Sequence, residues 1–249
     1  MENNMETKKD RNILAITLLI YSILVIVANT LLAIFFKFPD ILRESSIVRF
    51  ELFIQNSAII IPTYYIFLIS AFLQIFIPII AYHFINKRDS LSSITLCAGI
   101  LAGVLQSLGF VRWIVLIPFL ANQQTDMALL EGFANSYLGM SVGEHLGSLF
   151  MGLWIILISY QMLKSKLFDQ TLSYIALASG LGILLSSFEA IGISSLSIIS
   201  LPAWGLFVIW SLLTTYNLFK TENFAPKIKW YAWIIAIIFY LINILPAFI

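Results

Sequence analysis

The chain has 249 residues, of which 60% are hydrophobic and 11% charged, and its mean hydropathy is +0.96. Soluble domains carry about 25% charged residues, so no aqueous core hides this much apolar surface, and the composition is that of a membrane protein. A net charge of +1 gives no electrostatic footprint for nucleic acid, and the single Cys97 excludes a disulfide within the chain.

Residues 1–12 form a polar tail. The apolar run at 13–36 that follows is longer than the roughly 7–15 residues of a signal h-region. Its length matches the ~20 residues that cross the hydrocarbon core, so it is read as a retained first span. Residues 38–56 place Asp40, Arg43, Glu44, Arg49 and Glu51 among apolar residues at helical spacing, close behind Lys37. This pattern predicts an amphipathic helix on the outer surface, with a sharper reading as a lid from which Arg43 or Asp40 joins buried charges. Further spans are expected at 57–85, 91–121, 140–163, 170–193, 198–219 and 229–249. The runs are continuously apolar, which favours helices over a barrel. Proline removes a backbone donor, so kinks are expected at Pro62, Pro78 and Pro118. Tyr64, Tyr65, Trp230, Tyr231 and Trp233 sit near segment ends and read as interfacial anchors. The fold class is therefore an all-α polytopic bundle of seven spans forming one membrane domain over 13–249.

Orientation follows from the basic residues. With the N-terminus in the cytoplasm, the inner segments hold Lys8, Lys9, Arg11, Lys87, Arg88, Lys164, Lys166, Lys220, Lys227 and Lys229. The outer segments hold only Lys37, Arg43 and Arg49, and the stretches 122–139 and 194–197 hold none. This satisfies the positive-inside rule and sends the C-terminus outside. Glycines recur at four-residue spacing, Gly99 with Gly103 and Gly139 with Gly143 and Gly147, as close helix packing requires. Packing within one bundle is the plainer reading, and homodimerisation the sharper one.

Ionisable groups within a span need a partner, water or a function. Arg112, Glu144, His145 and Glu189 are the clear cases, all expected in the outer leaflet. His83 lies near the cytoplasmic end of its span, within reach of headgroups. Arg112 can fork between two carboxylates, and Glu144, expected in the first turns of its span, is favoured by the helix dipole. Adjacent helix positions point about 100° apart, so Glu144 and His145 should find different partners. Three readings compete: a clasp between helices, a site for a polar solute, and catalysis with His145 and Glu144 in proton transfer. There is no H-E-x-x-H, no Walker A run, no dinucleotide fingerprint and no G-x-S-x-G elbow. The final apolar run has no lysine beyond Lys229 that could hold retinal. No metal and no cofactor is expected.

"FPDILR" (38–43), "LGFVRW" (108–113) and "GEHLGSLFMGLW" (143–154) together resemble the bacterial multi-pass membrane family known as domain of unknown function 4386. The resemblance covers roughly residues 10–220, with 229–249 a possible extra span. It implies a polytopic bacterial membrane protein of unestablished activity and no assigned substrate; the expected location is the bacterial cytoplasmic (inner) membrane. Its motif positions here are Pro39, Asp40 and Arg43, then Arg112 and Trp113, then Glu144, His145, Gly147 and Trp154. The expected function is non-enzymatic: a charged pocket or clasp that binds, passes or senses a small polar solute. The alternative is an intramembrane enzyme with His145 as general base and Arg112 on a lipid headgroup. A third is an accessory subunit whose partner covers the glycine faces. The lipid bilayer is the one partner the composition requires, and no nucleic acid is expected.

Overall fold

The computed structural model describes residues 2–85, 88–122, 127–165 and 167–220, with side chains described from residue 8 onward. Among these residues the chain is wholly helical, without strands. The helices are α1 (Glu2–Phe36), α2 (Ser46–Ile85), α3 (Ser90–Ala121), α4 (Met127–Ser165), α5 (Gln170–Ile191) and α6 (Ser194–Lys220), where α3 and α4 include π-helical stretches and α5 and α6 include short 3-10 turns. Six of them are long and apolar enough to cross a membrane. This architecture lets every backbone polar group bond internally where no water is at hand. The expected seventh span at 229–249, with Trp230, Tyr231, Trp233 and the orientation of the C-terminus, lies outside the described residues.

Each helix packs on its chain neighbours, and α6 returns to pack on α1, so the six form a closed ring. The closure uses a hydroxyl pair, Ser22 donating to Ser211 at 2.9 Å, and an edge-to-face contact of Tyr21 with Phe207. Trp154 of α4 is fully buried and meets Phe207 and Trp210 across the ring. Asp89 and Asp169 cap α3 and α5 by accepting from Ser92 N–H at 2.8 Å and Thr171 N–H at 2.7 Å, satisfying donors a helix start leaves open. We call the end carrying these two caps proximal and the opposite end distal. The proximal core draws on all six helices, whereas the distal core uses α1, residues 41–42, α2, α3 and the start of α4.

Two helix starts and the three expected proline kinks differ from expectation. α2 starts at Ser46 rather than 57, so most of the expected outer loop is its first three turns, offset by a break at Asn56 (φ −122, ψ 17). Pro62 and Pro78 lie inside α2 without a break in its dihedrals; neighbouring helices let membrane helices carry proline. At Pro118 the irregularity lies just upstream, where Arg112–Leu116 is π-helical and Ile117 N–H reaches back five residues to the Arg112 carbonyl. α4 starts at Met127 rather than 140, with Asn135–Leu146 in π-helical register. Glu144 is thus deep inside a helix, and the helix-dipole support expected for it is absent, because that field fades within the first turn. Tyr64 is 2% exposed and stacks on Trp113 at 5.4 Å, so it is a core residue and not an anchor, while Tyr65 is exposed.

Candidate functional site

α2 has 40 residues and α4 has 39, about 60 Å each against a hydrocarbon core of about 30 Å. Their extra turns project together at the distal end. Tyr64, Arg112, Glu144 and Glu189 each stand about 20 residues from the proximal end of their helix, or about 30 Å. They therefore form one layer a single hydrocarbon thickness from the proximal ends, which Arg11, Arg88 and Lys164 mark.

Residues 37–45 form a strap over this layer. Lys37 adopts a left-handed conformation (φ 51) to turn the chain out of α1, the Phe38–Pro39 peptide is cis, and Asp40–Arg43 is a 3-10 turn. Ile41 and Leu42 are buried beneath the strap, while Asp40 faces solvent. Arg43 is the clasp. Its Nε and Nη2 donate to the two oxygens of Glu189 at 2.9 Å each, and Nη2 also donates to Oε2 of Glu144 at 2.9 Å. One guanidinium thus ties the strap to α4 and α5. Burial alone would lower the Arg43 pKa, but Glu189 and Glu144 outweigh it and raise it above the ordinary value, so the clasp stays cationic.

A second clasp holds the root of the strap. Arg49 of α2 pairs with the fully buried Glu131 of α4 through Nε at 2.8 Å and Nη2 at 2.7 Å. Its Nη1 donates to the carbonyl of Glu44. Asn135, one turn beyond Glu131, donates to the Leu42 carbonyl at 3.4 Å and accepts from Arg112 Nη2 at 3.0 Å.

Arg112 does not join the carboxylates expected for it. It is 4% exposed, and apart from Asn135 it donates only to the Gly109 carbonyl at 3.0 Å. Its guanidinium lies 5.2 Å from the Trp113 ring centre and against Gly139, where a Cβ would meet Cζ at 2.5 Å. Among the described residues no carboxylate reaches within salt-bridge distance, and Nε has no partner. The reason is geometric: Arg43 already occupies both oxygens of Glu189 and one of Glu144. Arg112, Tyr64 and Glu144 nonetheless lie close enough to interact electrostatically. His145 has the partner the sequence did not supply, a 2.7 Å hydrogen bond from Nδ1 to the Ser187 carbonyl, with Phe188 edge-on. As a carbonyl only accepts, Nδ1 carries the proton and Nε2 is left as an acceptor in the neutral ring. Glu144 and His145 do find different partners.

The glycines position these groups. A Cβ at Gly99 would meet Pro78 and Trp154, one at Gly103 the backbone of Ala71, and one at Gly147 the Gln106 side chain. Gly109 and Gly143 meet backbone to backbone across α3 and α4.

Arg49, Glu131, Asn135 and Tyr64 escaped notice in the sequence as site residues. A signal existed for two of them: Glu131 and Asn135 continue the spacing of Gly139, Gly143 and Gly147 by four residues at a time toward the N-terminus. No group of His, Cys, Asp and Glu able to hold a metal occurs among the described residues. Residues 13–220 match the family described as a domain of unknown function (DUF4386), and the chain belongs to that family. No curated protein and no solved structure matches the chain.

Proposed function

We propose that this member of the DUF4386 family is an integral protein of the bacterial cytoplasmic membrane that binds a small polar solute beneath the 37–45 strap, for passage or sensing, without chemistry on it. The observation that carries this reading is a layer of buried polar atoms without partners: Oη of the buried Tyr64, Nε of the buried Arg112 and Oε1 of the half-buried Glu144. Buried polar groups without partners each cost about 1–3 kcal/mol, so a cluster of them supports a bound molecule as the missing partner. The two clasps support the strap as its cover. Arg43 is 36% exposed and holds Glu144 and Glu189 from the solvent side, where release is least costly. The deeper Arg49–Glu131 pair is suited to staying closed.

A second reading, catalysis on a lipid headgroup, has one observation in its favour. The hydrogen bond from His145 Nδ1 to Ser187 leaves Nε2 in the form a general base requires. Both readings meet in one experiment, an untargeted lipid and metabolite comparison of a deletion strain complemented by variants. Binding requires that wild type and His145→Ala restore the profile and that Arg112→Gln does not. Full restoration by Arg112→Gln would remove the binding reading, and failure of His145→Ala alone would turn the assignment to catalysis.

A further inference from the structure

Resting on the reading of this layer as a solute site, the geometry points to its ligand class: an oxyanion, phosphate or carboxylate, with a hydrogen-bond donor beside it. The oxyanion accepts from Arg112 Nε and Tyr64 Oη, and the neighbouring hydroxyl or ammonium donates to Glu144 Oε1.

Three observations converge on this class. The first is the ion-pair map. Glu131 and Glu189 each have both oxygens engaged by an arginine, and Glu144 has one oxygen engaged. Arg112 is left as the buried cation held by neutral acceptors and an aromatic face. A buried cation in such surroundings is unfavourable until an anion joins it. The second is the kind of atom left open. Arg112 Nε and Gln106 Nε2, on the same helix, only donate, and Tyr64 Oη is a hydroxyl able to donate with them. All three side chains are more than nine-tenths buried. The complementary group is therefore an acceptor. Glu144 Oε1 is an unpartnered acceptor in the same layer, within electrostatic range of Tyr64 and Arg112 and ion-paired through its other oxygen to Arg43, and a carboxylate takes only a donor. A bare anion would leave it unsatisfied, a bare cation would face Arg112, and a neutral polyol would leave the Arg112 charge uncompensated, whereas the two-part ligand satisfies both sides.

The third observation is depth. The layer stands about 30 Å along the helices from the proximal ends, which is the far edge of the hydrocarbon. Lipid phosphates carrying hydroxyls or ammonium groups reside at that level, and a free phosphate ester or hydroxy acid reaches it from water. The recognition chemistry is shared, and the test separates the two sources.

The purified chain is held in micelles of a phosphate-free maltoside detergent and its melting temperature followed with glycerol 3-phosphate, glycerol, glucose and spermidine, and in the same micelles doped with phosphatidylglycerol without added solute. Glycerol 3-phosphate or phosphatidylglycerol is expected to raise the melting temperature saturably, whereas glycerol is not. A shift with glycerol 3-phosphate identifies a soluble ligand, and one confined to phosphatidylglycerol a lipid. Tyr64→Phe is the decisive variant, because its hydroxyl has no partner within the protein and the unliganded fold loses nothing. It should weaken half-saturation roughly tenfold, as loss of a charge-assisted hydrogen bond does, and Arg112→Gln should abolish the shift. If glucose or spermidine shifts the melting temperature and neither phosphate source does, the ligand class is wrong while the solute site stands. If no addition shifts it, or if every shift survives in Tyr64→Phe and Arg112→Gln, the site itself falls.

Discussion

At the scale of single residues, the distal end is governed by how Arg43 and Arg49 take up Glu131, Glu144 and Glu189 and leave Arg112 without a carboxylate. Arg49 and Glu131 are 6% and 0% exposed in their side chains and make two parallel bonds. Removing one partner strands the other as a buried charge, which costs roughly 3–5 kcal/mol, whereas replacing both with apolar groups of similar volume is often neutral. Arg49→Met is therefore expected to lower unfolding stability by that amount, and Arg49→Met with Glu131→Leu to recover most of it. Denaturant titration of the solubilised protein measures both, and a double variant no better than the single one would show that the pair acts through more than its charges. Arg43 differs because water already reaches it. Arg43 was legible as a candidate partner because it stands in a charged segment beside a span. The choice of Arg43 over Arg112 was not, because it depends on the strap folding back over α4 and α5. Glu131 was hidden for another reason: it lies in a stretch that contains no basic residue and reads as a loop until the four-residue spacing beyond it is extended backwards.

At the scale of elements, the α3–α4 interface decides where Arg112 and Glu144 stand. A Cβ on Gly109 would lie 2.8 Å from the Gly143 Cα, and one on Gly143 would lie 2.9 Å from the Gly109 Cα. Both neighbours are backbone, so no rotamer relieves the clash. At Gly147 the nearest atom is Gln106 Cγ at 3.1 Å, the stem of a flexible side chain. Gly143→Ala is accordingly expected to cost about 1–3 kcal/mol by overpacking, while Gly147→Ala costs much less. Comparing their melting temperatures checks this, and equal effects would count against so close a contact. The spacing of these glycines was readable in the sequence, and so was the existence of each described helix. The π-helical register of Asn135–Leu146 was not, because the i to i+5 bonding there leaves no mark in an apolar pattern of 3.6 periodicity. The break in α2 was equally unreadable, since it falls at Asn56 instead of at a proline. Asn56 sits where the helix leaves the apolar ring for the strap, and its side chain bonds back to the Leu52 carbonyl at 3.3 Å, which stabilises the turn without a proline.

At the scale of the whole molecule, the buried charged residues described in the six-helix ring, Arg49, Arg112 and Glu131, all stand toward its distal end, and the side of the membrane each end faces decides what ligand the distal layer can meet. Lys8, Lys9, Arg11, Arg88, Lys164 and Lys220 are proximal, and Lys37, Arg43 and Arg49 are distal. The earlier start of α4 leaves this asymmetry intact, because residues 122–139 contain no Lys or Arg. The rule counts basic residues rather than net charge, so the pairing of Arg43 and Arg49 with glutamates does not alter it either. The distal end is therefore expected outside. In a Cys97→Ser background, Asp40→Cys and Ser195→Cys occupy exposed distal positions and Arg88→Cys an exposed proximal one. A membrane-impermeant maleimide applied to intact cells should label the first two, and Arg88→Cys only after permeabilisation. The reverse pattern would turn the Arg43 strap toward the cytoplasm, and the ligand for Arg112, Tyr64 and Glu144 would then have to come from the inner leaflet or from cytoplasmic metabolites. Labelling in the expected pattern, followed by protection of Asp40→Cys when glycerol 3-phosphate is present, would tie strap closure to occupancy of the layer beneath it.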